Sequence, residues 1–426
     1  MRLILLDLPS EKRRNFDPLA LSRPIWELRC GMHSLGHKLV AKTGAVDVAC
    51  FVPPYMAEVY RTRTAWPVND VSCLAGDDLL LVNGRVKAPA LDASPIGPSV
   101  AAFDSDGECL YLRIARGDLG KLETGSIESL IESARKTLPQ VPSLPATWNY
   151  TWDLVLANPQ QLKDDFAAAG RNGIHGVVEQ PSAIRGSQQD IFIGQGALVH
   201  PMVVLDAAGG PIYIDEGAEI HPFSRIEGPC YIGKKSILLG AKCREGNSIG
   251  PMCRIGGEVE ESIVHGHSNK YHDGFLGHAY VGEWVNLGAL TTNSDLKNDY
   301  SNVKVTLDGK VELDTGSTKV GALIGDHTKT SIGTLLNTGA YVGAMALIMA
   351  TGKPLAKFIP SFAWMIEGWV TKGFGKKMLY ATARIAMSRR KCQWTPADEA
   401  MWDAIFQITK PARDEQLQKS RRAMGG

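Results

Sequence analysis

Three histidines fall close together in His265-Gly-His267-Ser-Asn269-Lys270-Tyr271-His272, at i, i+2 and i+7. Histidine titrates near neutrality, so it serves either as a metal ligand or as a general base. The spacing matches no helical zinc pattern such as H-E-x-x-H, and no cysteine joins the three, which makes metal binding the weaker reading. Proton transfer is the stronger one. His272, with Gly277 following as the start of a fresh structural unit, is suited to take a proton from an amine or hydroxyl as that group attacks a thioester. Taken alone, it would more often be an ordinary surface histidine, so the elements around it must decide.

A second set of chemistry-bearing residues lies near the start. Lys12, Arg13, Arg14, Arg23 and Arg29 crowd a stretch that contains no glycine before Gly31. Phosphate-binding loops cradle their ligand with backbone N–H groups from a Gly-rich turn. Here only side chains are on offer; Arg23 and Arg29 are the candidates for nucleotide phosphates, and the other three read as solvated loop.

The elements that carry these residues fall into two patterns. Leu3–Leu8, Val46–Val52 and Leu79–Val82 are short apolar runs of buried, mostly parallel strands. Asp104-Ser-Asp-Gly107 between two further runs signals a hairpin, and Ile127, Leu130, Ile131 and Ala134 share one helix face. An α/β domain is expected over 1–180. From about Asp190 the period changes to six: Ile193, Val199, Leu205; Ile214, Ile220, Ile226, Ile232, Leu238; Ile249, Ile255; later Val281, Leu287 and Ile324, Leu336, Val342, Ile348. Six is neither the helix nor the strand period. It fits a three-sided prism, a parallel β-helix with one aliphatic residue per hexapeptide pointing inward, expected over 181–352. Glycines after the aliphatic position, such as Gly194, Gly233, Gly250 and Gly288, suit its tight corners. The period breaks at about Glu258–Tyr280 and Thr291–Gly321, read as loops that project from the coil and carry the site. After Lys353 it ends, and 353–426 is expected to be a helical tail. Its first helix, within Thr371–Lys391, carries seven Lys and Arg without an acid, and no strong apolar face accompanies the charge.

Composition removes several classes. Forty-six Lys and Arg against 45 Asp and Glu give a net charge of +1 over 426 residues, leaving no global field for nucleic acid or an anionic membrane. Eight cysteines without a C-x-x-C pair argue against a zinc ribbon or disulfide scaffold. Residues 330–352 carry no charge, but they keep the six-residue register and are better read as coil than as a membrane span. The apolar run of MRLILLDLPSEKRR is too short for a signal peptide, so a cytoplasmic location is the default.

Ser268-Asn-Lys-Tyr-His272-Asp-Gly-Phe-Leu-Gly277, followed by Val281-Gly-Glu-Trp-Val-Asn-Leu-Gly-Ala289, resembles the acetyltransferase half of the bifunctional N-acetylglucosamine-1-phosphate uridyltransferase/glucosamine-1-phosphate acetyltransferase family. The resemblance implies a left-handed β-helix, a homotrimer, acetyl-CoA as acyl donor and an amino-sugar phosphate or nucleotide sugar as acceptor. It makes His272 the base and Arg225, Asn269, Lys270, Asn286, Asn293 and Lys304 substrate contacts. Lys270 stands one residue nearer the histidine than the family lysine, and Phe275 replaces a tyrosine. Leu19–Pro24, Glu27–Gly31, Trp152-Asp153 and Pro360–Trp364 resemble a divergent subgroup with a reduced nucleotidyltransferase-like front domain. There Val82-Asn83-Gly84-Arg85 falls where regular enzymes carry the Gly-Asp that binds Mg²⁺. Asn83 is then a nucleotide contact, while Arg85 cannot hold a cation. Asp77, Asp78 or Asp153 would have to supply the metal ligand if the front domain forms a UDP- or dTDP-sugar. The alternatives are nucleotidyl transfer alone and a non-catalytic trimeric scaffold that binds a nucleotide sugar.

Overall fold

The computed structural model describes residues 1–92, 94 and 97–424. The chain forms two compact units, one built from residues 1–16, 22–28 and 33–149, the other from 17–21, 29–32 and 150–426.

The first unit is a five-stranded sheet in the order β2-β1-β3-β5-β4, with β1 Arg2–Leu6, β2 Val48–Phe51, β3 Leu79–Asn83, β4 Val100–Phe103 and β5 Cys109–Ile114. β2, β1 and β3 are parallel and β5 runs antiparallel to both neighbours. The apolar runs sit in the centre because both of their faces are covered; Leu3 to Leu6 and Leu79 to Val82 are all buried. The helix Ile127–Thr137 starts on Ser126, whose hydroxyl accepts the Ser129 N–H. It buries Ile127, Leu130, Ile131 and Ala134 against Ile4, Leu6, Leu81 and Leu112, at about 1.5–3 kcal/mol for each fully buried large aliphatic. The hairpin turn forms where Asp104-Ser-Asp-Gly107 placed it.

The second unit is a left-handed parallel β-helix of about 11 turns. One wall shows the construction: Ile193, Ile214, Ile232, Ile249, Val264, Val281, Ile324, Val342 and Ile359 pair in register from coil to coil, all buried. A second wall stacks Val199, Ile220, Leu238, Ile255 and then Lys270. The first expected projecting loop is therefore wall, not insertion. The coil continues through Asn269–Lys270 and Phe275–Gly277, and the hydrophobic period was lost because a lysine fills an inward rung. The second excursion does leave the coil, as a hairpin of Lys304–Thr306 with Glu312–Asp314. The coil also runs past Lys353: Ile359 pairs with Val342 and Met365 with Ile348, a register hidden in sequence by Gly352-Lys-Pro354.

Close approach governs the glycines after each inward residue. A Cβ on Gly250 would lie 1.9 Å from the His265 carbonyl oxygen of the next coil. The left-handed corner falls elsewhere, three residues beyond the inward rung, and is held by Met252, His267, Trp284, His327, Met345 and Phe362. Such residues cost roughly 1–3 kcal/mol each and persist where packing over-determines them. At His327 and Phe362 that packing comes from the tail, and at His267 from Trp284 of the next coil. The helix Lys376–Ser388 buries Leu379, Tyr380, Ala383 and Met387, an apolar face that the run of basic residues concealed. Trp402 of the helix Pro396–Ile408 meets His327 edge-on at 5.5 Å and Phe362 at 6.1 Å between ring centres. No helix among the described residues is long and apolar enough to cross a membrane.

Candidate functional site

His272 sits in the four-residue step 271–274 between the wall strands Asn269–Lys270 and Phe275–Gly277. Its side chain is exposed and its imidazole has no hydrogen-bond partner among the described residues, whereas the backbone beneath it is held firmly. Lys270, 4% exposed, donates from Nζ to the carbonyl oxygens of Gly256 at 2.9 Å and of His272 at 3.0 Å. Burial pushes the Lys270 ammonium down to about 8, against the pull of Asp273, Cys243 and Glu258. The Asp273 carbonyl accepts the Leu290 N–H at 2.8 Å. Gly274 adopts φ +127°, and a Cβ there would lie 2.2 Å from the Thr291 carbonyl oxygen, so only glycine closes the step. A rigid loop thus presents an imidazole whose ring nitrogens are open to a substrate.

Beside this loop, Asn269, Asn286 and Lys329 stand at one position on three successive coils. Asn269 Nδ2 donates to Asn286 Oδ1 at 3.2 Å, and Arg390 Nη2 donates to Asn269 Oδ1 at 3.1 Å. With His267, Trp284 and the end of the helix Lys376–Ser388 they enclose a cleft of about 250 Å³. Trp284 stacks on His267 at 4.4 Å between ring centres and forms its wall. Lys329 Nζ donates to the carbonyls of Trp284 and His327, and burial pushes it down to about 7.

The other residues singled out from sequence are placed differently. Asn293 is an inward rung paired with Leu336, and its amide is spent on Gly277, accepting from the N–H and donating to the carbonyl at 2.9 Å each. Lys270 is likewise a core rung, so neither is aimed at solvent. Lys304 is exposed on the excursion hairpin, 3.7 Å from Glu312. Arg225 is exposed on the wall and pairs with Glu227 at 2.8 Å. The loop histidines do not converge on one point: His265 is buried near the Tyr280 hydroxyl while His267 lies on Trp284. Sequence reasoning missed His278, 3% exposed, which bridges Asp295 at 2.8 Å and Glu261 at 3.2 Å. Burial works against its charge, but the two carboxylates raise it to about 9. The only sequence signal was a histidine directly after the Leu-Gly of a coil.

In the first unit a cavity of about 520 Å³ opens at the ends of β1 and β3, lined by Leu6, Leu8 to Lys12, Asn83, Asp106 to Cys109, Ile131 and Arg135. Asn83 is part of it; Arg23 and Arg29 are not. Arg23 is buried, and Arg29 packs 5.4 Å from the centre of the Tyr231 ring within the second unit. In place of a Gly-rich turn, β1 is followed by a buried ion pair, Asp7 to Arg13 at 3.0 Å, with Ser10 capping the next turn. Burial raises the Asp7 carboxyl although Arg13 opposes it.

A divalent ion needs carboxylates free to coordinate it, and this cavity does not supply them. Glu108 is held by the buried Arg85, and Asp104 and Asp106 each lie 2.5 Å from Lys12 Nζ. Glu11, exposed at the rim, stands 3.4 Å from Arg14 and belongs to no cluster of three metal-binding side chains among the described residues. Asp77 pairs with the N-terminal amine at 3.0 Å, Asp78 accepts the Arg116 N–H at 2.6 Å, and Asp153 closes the capping box of the helix Thr151–Ala169 in the other unit. The residues present do not fit a magnesium site.

Fold and site together define a class, a nucleotidyltransferase-like α/β domain followed by a hexapeptide prism with a helical tail. Residues 3–172 match the family model described as sugar nucleotidyl transferase. Over part of its length the chain is similar to bifunctional GlmU-type proteins. It is 37% identical over 151 residues to a bifunctional sugar-1-phosphate nucleotidylyltransferase/acetyltransferase of Sulfurisphaera tokodaii, 33% of this chain and 35% of that protein. To the bifunctional protein GlmU of Thermotoga petrophila it is 26% identical over 202 residues, 43% of this chain and 42% of the relative. The matches therefore span less than half the length of these relatives. The Arabidopsis UDP-N-acetylglucosamine acyltransferase structure aligns with 58% of this chain and 97% of its own at 13% identity and a TM-score of 0.29.

Proposed function

We propose that the prism transfers an acetyl group from acetyl-CoA to the amine of an amino-sugar phosphate or nucleotide sugar, with His272 as general base. The observation that carries this reading is the exposed imidazole on a backbone clamped by Lys270, Leu290 and Gly274. His272 takes the amine proton as nitrogen attacks the thioester carbonyl; the C–S bond then breaks and the CoA thiolate leaves to be protonated. The thioester is already activated, so positioning plus one base suffices and no metal enters the step. Asn269 and Asn286 supply acceptor hydrogen bonds, Lys270 acts through the loop as a positioning residue, and Arg225 and Lys304 are peripheral cations for the sugar phosphate. The active form in this reading is a cytoplasmic homotrimer. A thiol-release assay over a panel of glucosamine 1-phosphate, other amino-sugar phosphates and nucleotide sugars tests it. Release with at least one amine acceptor and none with its N-acetylated counterpart is expected, and silence across the panel would sink it.

For the front domain, the match of residues 3–172 favours nucleotide-sugar chemistry, but the misfit to magnesium favours binding over synthesis. Asn83 and the cavity beside it then hold a nucleotide sugar. Pyrophosphate formation from UTP or dTTP with a sugar 1-phosphate would overturn that choice.

A further inference from the structure

The cleft beside Trp284 carries an unbalanced charge. Elsewhere on the helix Lys376–Ser388 two of the three cations are matched, Lys376 reaching Asp403 at 2.5 Å and Arg384 pairing with Glu399, while Lys377 points to solvent on the exposed side. Where the same helix ends over the prism, Arg389 and Arg390 join Lys329 around one cavity, and among the described residues no carboxylate lies within 4.0 Å of any of the three. Arg390 Nε is buried with no hydrogen-bond partner, and Nη2 reaches only the neutral amide of Asn269. Arg254 adds a further positive charge close enough to disfavour the Arg390 cation. Two acids stand near the cleft: Glu283, 4.0 Å from His267 Nδ1, and Asp326, whose charge favours the Lys329 ammonium against its burial. In a chain whose acids and bases balance to +1, setting two arginines without an ion-pair partner at a concave surface is costly unless an anion completes it.

We propose that this cleft is a phosphoryl-anion site, in which Arg389 and Arg390 hold a phosphate or diphosphate ester above the buried Lys329 while Asn269 and Asn286 fix its orientation. Guanidinium forks match phosphate oxygens with paired N–H donors; the exposed Arg389 presents such a fork, and the buried Arg390 Nε is a donor without a partner. A cleft of about 250 Å³ takes a phosphoryl group rather than a whole cofactor, so the remainder of the ligand lies along the open coil surface. The Trp284 ring gives it an aromatic wall and a spectroscopic reporter. Because Asn269 and Asn286 also serve the acetyl acceptor proposed above, the site rests in part on that reading. Two sources have this chemistry, the phosphates of the acyl donor and that of the sugar acceptor.

Inorganic pyrophosphate is the probe, titrated into the full chain by calorimetry and by tryptophan fluorescence, without turnover. Saturable binding that weakens with salt is expected, reduced at least tenfold in Arg389→Gln and Arg390→Gln. Arg384→Gln, outside the cleft, should bind as the parent does, and thermal melting checks that all three variants fold. No saturable binding, or equal binding in all variants, would overturn the site. Displacement of pyrophosphate by CoA assigns the donor as source and displacement by glucosamine 1-phosphate the acceptor; displacement by neither overturns the phosphate-ester assignment. A chain that binds pyrophosphate through these arginines yet acetylates nothing would keep the site and refute only the transfer reaction.

Discussion

His278→Gln isolates a buried ionic network whose pH dependence follows from its geometry. In the parent, both ring nitrogens face carboxylates, Asp295 at 2.8 Å and Glu261 at 3.2 Å. This pairing raises the imidazolium from 6.5 to about 9 in the folded chain. A raised folded value means that the charged form is bound more tightly by the native state than by the unfolded chain. The stabilisation is therefore complete below about pH 6.5 and is lost as pH rises through about 9. At about 1.4 kcal/mol per unit, that rise corresponds to roughly 3 kcal/mol. Glutamine keeps hydrogen-bonding capacity but cannot titrate, so the difference in unfolding free energy between parent and variant should fall from about 3 kcal/mol near neutrality toward zero in alkaline buffer. Urea denaturation at a series of pH values reads it directly. Val320 N–H donates to the Asp295 carbonyl and Lys319 reaches Glu260, so the network also fastens the excursion that bears Lys304. Hydrogen exchange over 296–319 should accelerate in the variant. A pH-independent difference would refute the assignment of a charged His278.

Lys270→Met removes a buried cation whose folded value is depressed. Because that native state penalises the ammonium, stability is lost as pH falls through about 8, so near neutrality the variant should match or exceed the parent in denaturation midpoint. Its kcat should nonetheless drop about tenfold or more as the His272 carbonyl loses its clamp; unchanged kcat would contradict the positioning role. Gly250→Ala forces a methyl against the His265 carbonyl and should cost about 1–3 kcal/mol, seen as a lower melting temperature. Trp402→Ala should cost about 3–5 kcal/mol and release the tail from the prism corner, read by limited proteolysis after residue 371. Lys304→Ala, on an exposed hairpin, should shift stability by less than about 0.5 kcal/mol and act on KM for the acceptor alone.

Much of this architecture was legible in the sequence because one aliphatic residue per hexapeptide is a sharp signal. The same regularity held information that a hydrophobic scan discards. Lys270 and Asn293 fall six residues beyond Val264 and Leu287, in the inward register, yet the family resemblance made them substrate contacts. The coil tolerates them because each finds backbone carbonyls inside the wall. The tail could not be read from charge alone: on the helix Lys376–Ser388, Lys377 and Arg384 are exposed and Lys376 pairs with Asp403, while Leu379, Tyr380, Ala383 and Met387 pack inward. Partners distant in sequence, such as Asn286 with Lys329 or His278 with Glu261 and Asp295, are brought together by coil stacking across residues that local patterns do not connect. In the front unit, the order of the strands came only from their pairing, while the buried strands and the hairpin followed from local signals. The ion pairs that neutralise Glu108, Asp104 and Asp106 did not, since they join β3 and the first loop to the β4–β5 turn.

Acetyl transfer by the parent chain and by His272→Ala, measured side by side with acetyl-CoA and glucosamine 1-phosphate as N-acetylated product, tests the central claim most directly. Loss of one general base is worth about 10²–10⁴ in rate. The account predicts product from the parent, a fall of that size in the variant and an unchanged melting temperature, because the side chain is exposed and unpaired. Equal rates in the two proteins would contradict it.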